Sequence, residues 1–321
     1  MQRKLKEYLI ISAKGLAMGA ADVVPGVSGG TIAFISGIYE ELIETINNLD
    51  IGFFSVWKKE GLKISWRKYN LSFLVALFLG IAISILSLSK LIKWLLHNEP
   101  LLLWAFFFGL VLASIVYIGK QITAWKPKVV ISIILAALFA YFITIAEPLA
   151  SPDSSWYLLF CGFIAIIAMI LPGVSGAFIL LILGAYQTFI DILNQLREGI
   201  TQLDFNLLWQ AISKIMIIAI GAIVGLKLFS KVLNWMFKHH KNTTLAILTG
   251  FMIGSLNKLW PWKEILSWRT NSEGLKVPFI DKSILPTHYE GDPKIIWVFC
   301  FIAIGFLLIL ILERLSVKKV N

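Results

Sequence analysis

Two stretches of this chain set a helix breaker beside hydroxyls and glycines in apolar sequence: Pro25-Gly26-Val27-Ser28-Gly29-Gly30-Thr31 and Pro172-Gly173-Val174-Ser175-Gly176. A helix that begins after such a break exposes backbone N–H groups without intrahelical partners, at the positive end of its dipole. Away from water those groups attract an anion such as a phosphate or carboxylate, and glycines let it approach the backbone. Ser28, Thr31 and Ser175 add hydroxyl donors. The plain alternative is a pair of packed turns in which the serines cap helices.

Three charged residues extend this chemistry. Asp22 lies just before the first break, and a carboxylate at membrane depth by default marks a coupling ion, a proton site or a substrate contact. It could equally cap the following half-helix or pair with Lys14. Glu40 is a second candidate for carrying protons, or a residue at headgroup level. Arg197 could grip a phosphate bidentately or anchor the chain at the interface. The histidines His97, His239, His240 and His288 show no zinc or catalytic spacing, and no Walker loop occurs. The pattern therefore points away from an enzyme and from a metal or organic cofactor, leaving H+ or Na+ coupling as the energy source.

The surrounding chain is apolar. Of its 321 residues 58% are hydrophobic and 15% charged, and the mean hydropathy is +0.81, far from the roughly 25% charged residues of soluble domains. Charge-free runs recur at 69–89, 101–119, 129–146, 156–190 and 295–312, which suits a polytopic helical membrane protein. The net charge of +10 falls mostly between these runs, where it orients the chain and meets anionic lipid, so nucleic acid is not an expected partner. Cys161 and Cys300 sit in apolar segments and read as small buried hydrophobes. The basic, then apolar, N-terminus reads as structure instead of a signal peptide, because Lys14 and Asp22 interrupt it and it belongs to a repeat.

That repeat pairs the breaks at an offset of 147 residues, matching Gly15 with Gly162 and Tyr39 with Tyr186. Later the offset is 141, matching Gly80 with Gly221 and Gly109 with Gly250. The expected organisation is two halves, 1–150 and 151–321. Residues 156–190 carry no charge, and as one straight helix they would rise about 52 Å, too long for a core of about 30 Å. A re-entrant helical hairpin resolves this, at 8–46 in the first half and 156–193 in the second.

Three transmembrane helices follow in each half, near 69–93, 101–119 and 128–147, then near 207–230, 243–260 and 295–313. An odd number of crossings makes the two repeats inverted in topology. The basic loops then all fall on the side of the termini, which reads as cytoplasmic. The charge-balanced stretch 261–294 becomes an outward loop. Inverted repeats with broken helices meeting at mid-depth are the architecture of secondary transporters. The expected fold is thus an all-α polytopic membrane protein of two inverted repeats, each a re-entrant helical hairpin plus three transmembrane helices.

The segments GLAMGAADVVPGVSGGTIAFISGIYEELI (15–43) and ILPGVSGAFILLILGAYQTFIDIL (170–193) resemble the bacterial polyprenyl-phosphate (undecaprenyl phosphate) translocase family, PopT-like, formerly a membrane domain of unknown function. The resemblance covers essentially the whole chain. It implies a lipid flippase of the bacterial cytoplasmic membrane that returns undecaprenyl phosphate from the outer to the inner leaflet, supplying peptidoglycan and other envelope polymers. Joined to the chemistry of the breaks, this gives the expectation that the phosphate lies between them while the polyprenyl tail stays in lipid. The residue chemistry alone leaves open a carrier of a small soluble anion, or a scaffold for envelope assembly that moves nothing.

Overall fold

The computed structural model describes residues 3–22, 28–50, 52–146, 154–270 and 276–317. The first half begins with α1 (Leu5–Asp22), α2 (Gly29–Ile35) and α3 (Tyr39–Asn48), then α4 (Gly52–Glu60) and α5 (Leu62–Lys68). Three long helices follow: α6 (Leu71–Asn98), α7 (Pro100–Gly119) and α8 (Pro127–Ile145). The second half runs through α9 (Ser155–Ile170), α10 (Gly176–Ile182), α11 (Tyr186–Gln202), α12 (Phe205–His239), α13 (Lys241–Leu259) and α14 (Ile295–Val317). Between α13 and α14, β1 (Lys263–Thr270) pairs antiparallel with β2 (Lys276–Ser283). The protein is nearly all helical.

All six expected crossings are helices. Four, α6, α7, α8 and α12, are long and apolar enough to span a membrane by length and composition, or five if the bent pair α10–α11 counts as one span. Two expected crossings, α13 and α14, are not among these. α14 spans Ile295–Val317, and its charge-free run continues to Leu312. In α13 the polar residues Thr244, Thr249 and Ser255 are buried, so this helix faces protein more than lipid and needs less apolar surface. Their hydroxyls bond back to the carbonyls of His240, Leu245 and Met252 within the same segment. Large apolar side chains such as Phe78, Leu86, Phe142, Ile223 and Phe299 lie exposed. Cys161 is buried as expected, but Cys300 is exposed, because α14 turns that face away from its neighbours.

The hairpins differ from the expected pair of arms. Each returning arm is only 7 residues long, a rise of about 10 Å. Gly37 and Gly184, with φ of 72° and 69°, then stop the chain. The N–H of Ile38 reaches the Ala33 carbonyl at 3.0 Å, and the N–H of Ala185 reaches that of Leu180 at 2.9 Å. Both are the six-to-one bond of a Schellman cap, placed at the same repeat offset. A new amphipathic helix starts after each cap, and α11 departs from α10 at 109° and runs on to Gln202, beyond the expected end of the hairpin. The expected loops also carry structure: α4 and α5 lie before α6, and the β-hairpin fills much of 261–294.

Packing repeats as well. A Cβ placed at Gly80 of α6 would lie 1.9 Å from the Ser12 carbonyl oxygen of α1. One at Gly221 of α12 would lie 2.0 Å from the Leu159 oxygen of α9. Ser12 and Leu159 stand at the 147 offset and the two glycines at the 141 offset, so α1–α6 and α9–α12 meet through equivalent positions. Small residues let helix backbones touch where lipid offers no hydrophobic drive. The other helices cross between halves: Gly109 of α7 meets Ile302 of α14, and Gly250 of α13 meets Ile133 of α8.

Candidate functional site: the junction of the two breaks

Ser28 is the N-cap of α2, in extended conformation, and its Oγ accepts the Gly30 N–H at 3.1 Å. The same hydroxyl lies 3.1 Å from the Met169 carbonyl and 3.2 Å from that of Leu171, sharing its one proton between them. These carbonyls end α9, where helix geometry leaves them without intrahelical partners. Tyr39, fully buried at the start of α3, donates to the Ile170 carbonyl at 3.1 Å. In return, the Gly173 N–H of the second break donates to Thr31 Oγ1 at 2.9 Å. Hydroxyls of the first half thus satisfy the broken backbone of the second.

The fit is close on both sides. Gly30 has no room for a side chain, since a Cβ would stand 2.4 Å from the Ile170 oxygen. Gly173, at φ +87°, would press a Cβ to 2.8 Å from Ser255 Oγ and 3.0 Å from Met252 Cα of α13. Pro172, Val174 and Ser175 are buried beside it. Val174 packs with Ala168 and Ile179, which holds the second break against α9 and α10.

The two breaks are not equivalent in charge. Asp22, the last residue of α1, accepts the Gly29 N–H at 2.7 Å, so a carboxylate already occupies the start of α2. Its repeat counterpart is Met169. At the start of α10 the N-cap Ser175 makes no capping bond to the helix. Among the described residues its hydroxyl has no hydrogen-bond partner, although the residue is only 6% exposed. One half of the junction carries its own anion and the other presents an uncommitted hydroxyl.

The remaining candidates lie elsewhere. Pro25, Gly26 and Val27 fall outside the described residues. Lys14 donates to the Ser36 carbonyl beyond α2. Glu40 is exposed and pairs with Lys241 at 3.0 Å, tying α3 to the start of α13. Its neighbour Glu41 takes both guanidinium nitrogens of Arg3, at 2.6 and 2.7 Å. Arg197 is exposed on α11, which packs on α12, and among the described residues no hydrogen bond links it to the breaks. Sequence reasoning passed over Tyr39, although its match with Tyr186 was visible. It also missed this role of Lys227, which donates to the carbonyls of Ile46 and Asn47, closing the C-terminus of α3 from α12.

Comparison with known proteins adds a family. The pattern of the family described as undecaprenyl phosphate translocase-like matches residues 18–277. A polyprenyl-phosphate transporter of Vibrio cholerae is 45% identical over 290 residues, covering 90% of each chain. A polyprenyl-phosphate transporter of Staphylococcus aureus is 31% identical over 260 residues, covering 77% of this chain and 84% of its own. No solved structure matches.

Proposed function

Because the chain belongs to the undecaprenyl phosphate translocase-like family, we propose that it is a polyprenyl-phosphate flippase whose head-binding site is the junction of the two breaks. The observation that carries this reading is the set of buried bonds between halves, Ser28 to the Met169 and Leu171 carbonyls and Gly173 to Thr31. Each of these groups can serve a phosphate as well as its present partner. A hydroxyl that donates to a carbonyl can donate to a phosphate oxygen, and so can the Gly173 amide. Separation of the halves frees these groups at mid-depth, where a desolvated anion gains most from them.

In this cycle the head lies among Ser28, Gly29, Gly30 and Thr31 on one side and Gly173, Ser175 and Gly176 on the other. Pro172 and Val174 shape the second turn, and the polyprenyl tail stays in the bilayer. Rocking of one half against the other exposes the site to each face in turn. The matched contacts of Gly80 and Gly221 support a repeat; three crossings per half would invert it, and the termini then lie in the cytoplasm by the distribution of basic loops. The net movement proposed is from outer to inner leaflet of the bacterial cytoplasmic membrane. Asp22 is the coupling group: it competes with an incoming phosphate for the Gly29 N–H, and a proton or Na+ on the carboxylate relieves that competition. Glu40, exposed and paired, is the weaker candidate, and Arg197 serves the interface.

The test is movement of isotopically labelled undecaprenyl phosphate across liposomes holding the purified protein, with and without a pH or Na+ gradient. The reading expects gradient-dependent movement that is lost in Ser28→Ala/Ser175→Ala and in Gly29→Leu. Equal transport by those variants, correctly inserted, would remove the junction as the site. Competition by inorganic phosphate with no lipid movement would favour a soluble-anion carrier.

A further inference from the structure

A second lipid-shaped feature lies away from the junction. Leu71, Leu74, Val75, Phe78 and Leu79 of α6 recur at helical spacing and form one face. Trp66 of α5 overhangs this face, held by its Nε1–H bond to Ser72 Oγ at 2.8 Å. Together they line a shallow, open groove of about 530 Å³. It is apolar, open, and a single helix face wide.

Its mouth is basic. The short helices α4 and α5 carry Lys58, Lys59, Lys63, Arg67 and Lys68, all exposed. Among the described residues none of their five side-chain charges is in a hydrogen bond or ion pair. Lys63 lies one turn before Trp66 on the same side of α5, and Arg67 follows it directly. The same helices expose Phe54, Trp57, Leu62 and Ile64. Aromatic and aliphatic side chains mixed with cations on short amphipathic helices suit the headgroup level of a membrane. An apolar slot at that level beside unpaired cations is complementary to a lipid with one anionic head.

We propose that this groove is a second binding site for a polyprenyl monophosphate, with the first isoprene units laid along the Leu71–Leu79 face under Trp66 and the phosphate held by Lys63 and Arg67. The one apolar face of α6 under Trp66 is matched to one chain, so the proposed occupant is a single-chain lipid and not a two-chain phospholipid. The site rests on the translocase reading, and serves it as the place where the lipid is held at the membrane surface before entering or after leaving the junction.

The experiment places the full chain in phosphatidylcholine nanodiscs with a diazirine-bearing prenyl monophosphate, and maps photoadducts by mass spectrometry. Adducts are expected within residues 66–79, reduced about tenfold by Lys63→Gln/Arg67→Gln, where each lost cation weakens attraction to an anionic head. Val75→Trp, which fills the groove, should reduce them as well. An excess of phosphatidylglycerol should leave them in place. Adducts unchanged in the Lys63/Arg67 variant, which alters only exposed side chains, would overturn the proposal, as would adducts absent from this segment or displaced equally by phosphatidylglycerol. Lipid movement in liposomes, measured in parallel, separates the two readings. Transport without labelling of 66–79 refutes only the groove, and labelling without transport refutes only the flippase.

Discussion

Thr31 Oγ1 accepts the N–H of Gly173 at 2.9 Å, so a side chain of the first break completes the backbone of the second. Both groups are buried. Thr31→Val keeps the shape and removes the acceptor, leaving the Gly173 amide unpaired. The expected loss is about 1–2 kcal/mol, read as a lower unfolding temperature in detergent, with Thr31→Ser close to wild type. A valine variant as stable as the parent would mean that the bond across the junction does not hold the halves.

Asp22 separates two roles that one substitution would confuse. Asn at this position retains an oxygen for the Gly29 N–H but loses the charge, whereas Ala loses both, at a cost of about 0.5–2 kcal/mol for the missing cap. The coupling proposal expects Asp22→Asn to fold normally and to move lipid without responding to a gradient. Glu40→Gln removes an exposed pair with Lys241, worth about 0–1 kcal/mol, and should leave the gradient response intact. Liposome transport of the three variants at matched insertion decides this. A gradient response kept by Asn and lost by Gln would exchange the roles.

The repeat and the break positions could be read from the chain because both depend on local signals. Pro and Gly interrupt apolar runs, and small residues recur at fixed offsets. The second turn at Gly37 and Gly184 was hidden, since a Schellman cap shows in sequence only as one glycine within apolar residues that would equally suit a continuing helix. The pairing of Ser28 with Met169 and Leu171 was out of reach for another reason: the acceptors are carbonyls, which carry no residue identity. Glu40 shows the opposite case, because an acidic residue near a break reads the same in sequence whether it faces the site or, as here, a partner such as Lys241, 201 positions away.

Gly80 and Gly221 give a matched test of the helix pairing. A side chain at either would enter the opposing backbone, at 1.9 Å from the Ser12 oxygen and 2.0 Å from the Leu159 oxygen. Backbone cannot yield as a flexible side chain does, so the helices must separate. Gly80→Val and Gly221→Val should each cost several kcal/mol, at or beyond the about 1–3 kcal/mol typical of overpacking, and lower the yield of monodisperse protein. Gly119→Ala, where nothing lies within 4 Å, is the control and should behave as wild type. Tolerance of valine at both positions would undo the packing described for α1–α6 and α9–α12.

Lys263 provides the pH test, on the β-hairpin outside the membrane-crossing helices. Its Nζ sits 3.6 Å from the centre of the Trp104 ring, donates to the Lys258 carbonyl, and lies 3.7 Å from Asp281. Burial pushes its amine down to about 7, more than Asp281 can offset, and Lys258 adds repulsion. Burial acts to raise the Asp281 carboxyl, but Lys263 and Lys258 outweigh it and hold it below the ordinary range, so it stays charged near neutrality. Below pH 7 both folded and unfolded chains hold the Lys263 proton, and the folded state bears the full cost of burying it. Between about 7 and 10.4 the unfolded chain still binds a proton that the folded chain has released, so stability rises with pH. The apparent unfolding temperature in detergent should therefore climb from pH 6.5 to pH 9, and Lys263→Met should flatten that climb by removing the titrating group. Equal slopes in the two proteins would show that Lys263 titrates as an ordinary solvated lysine.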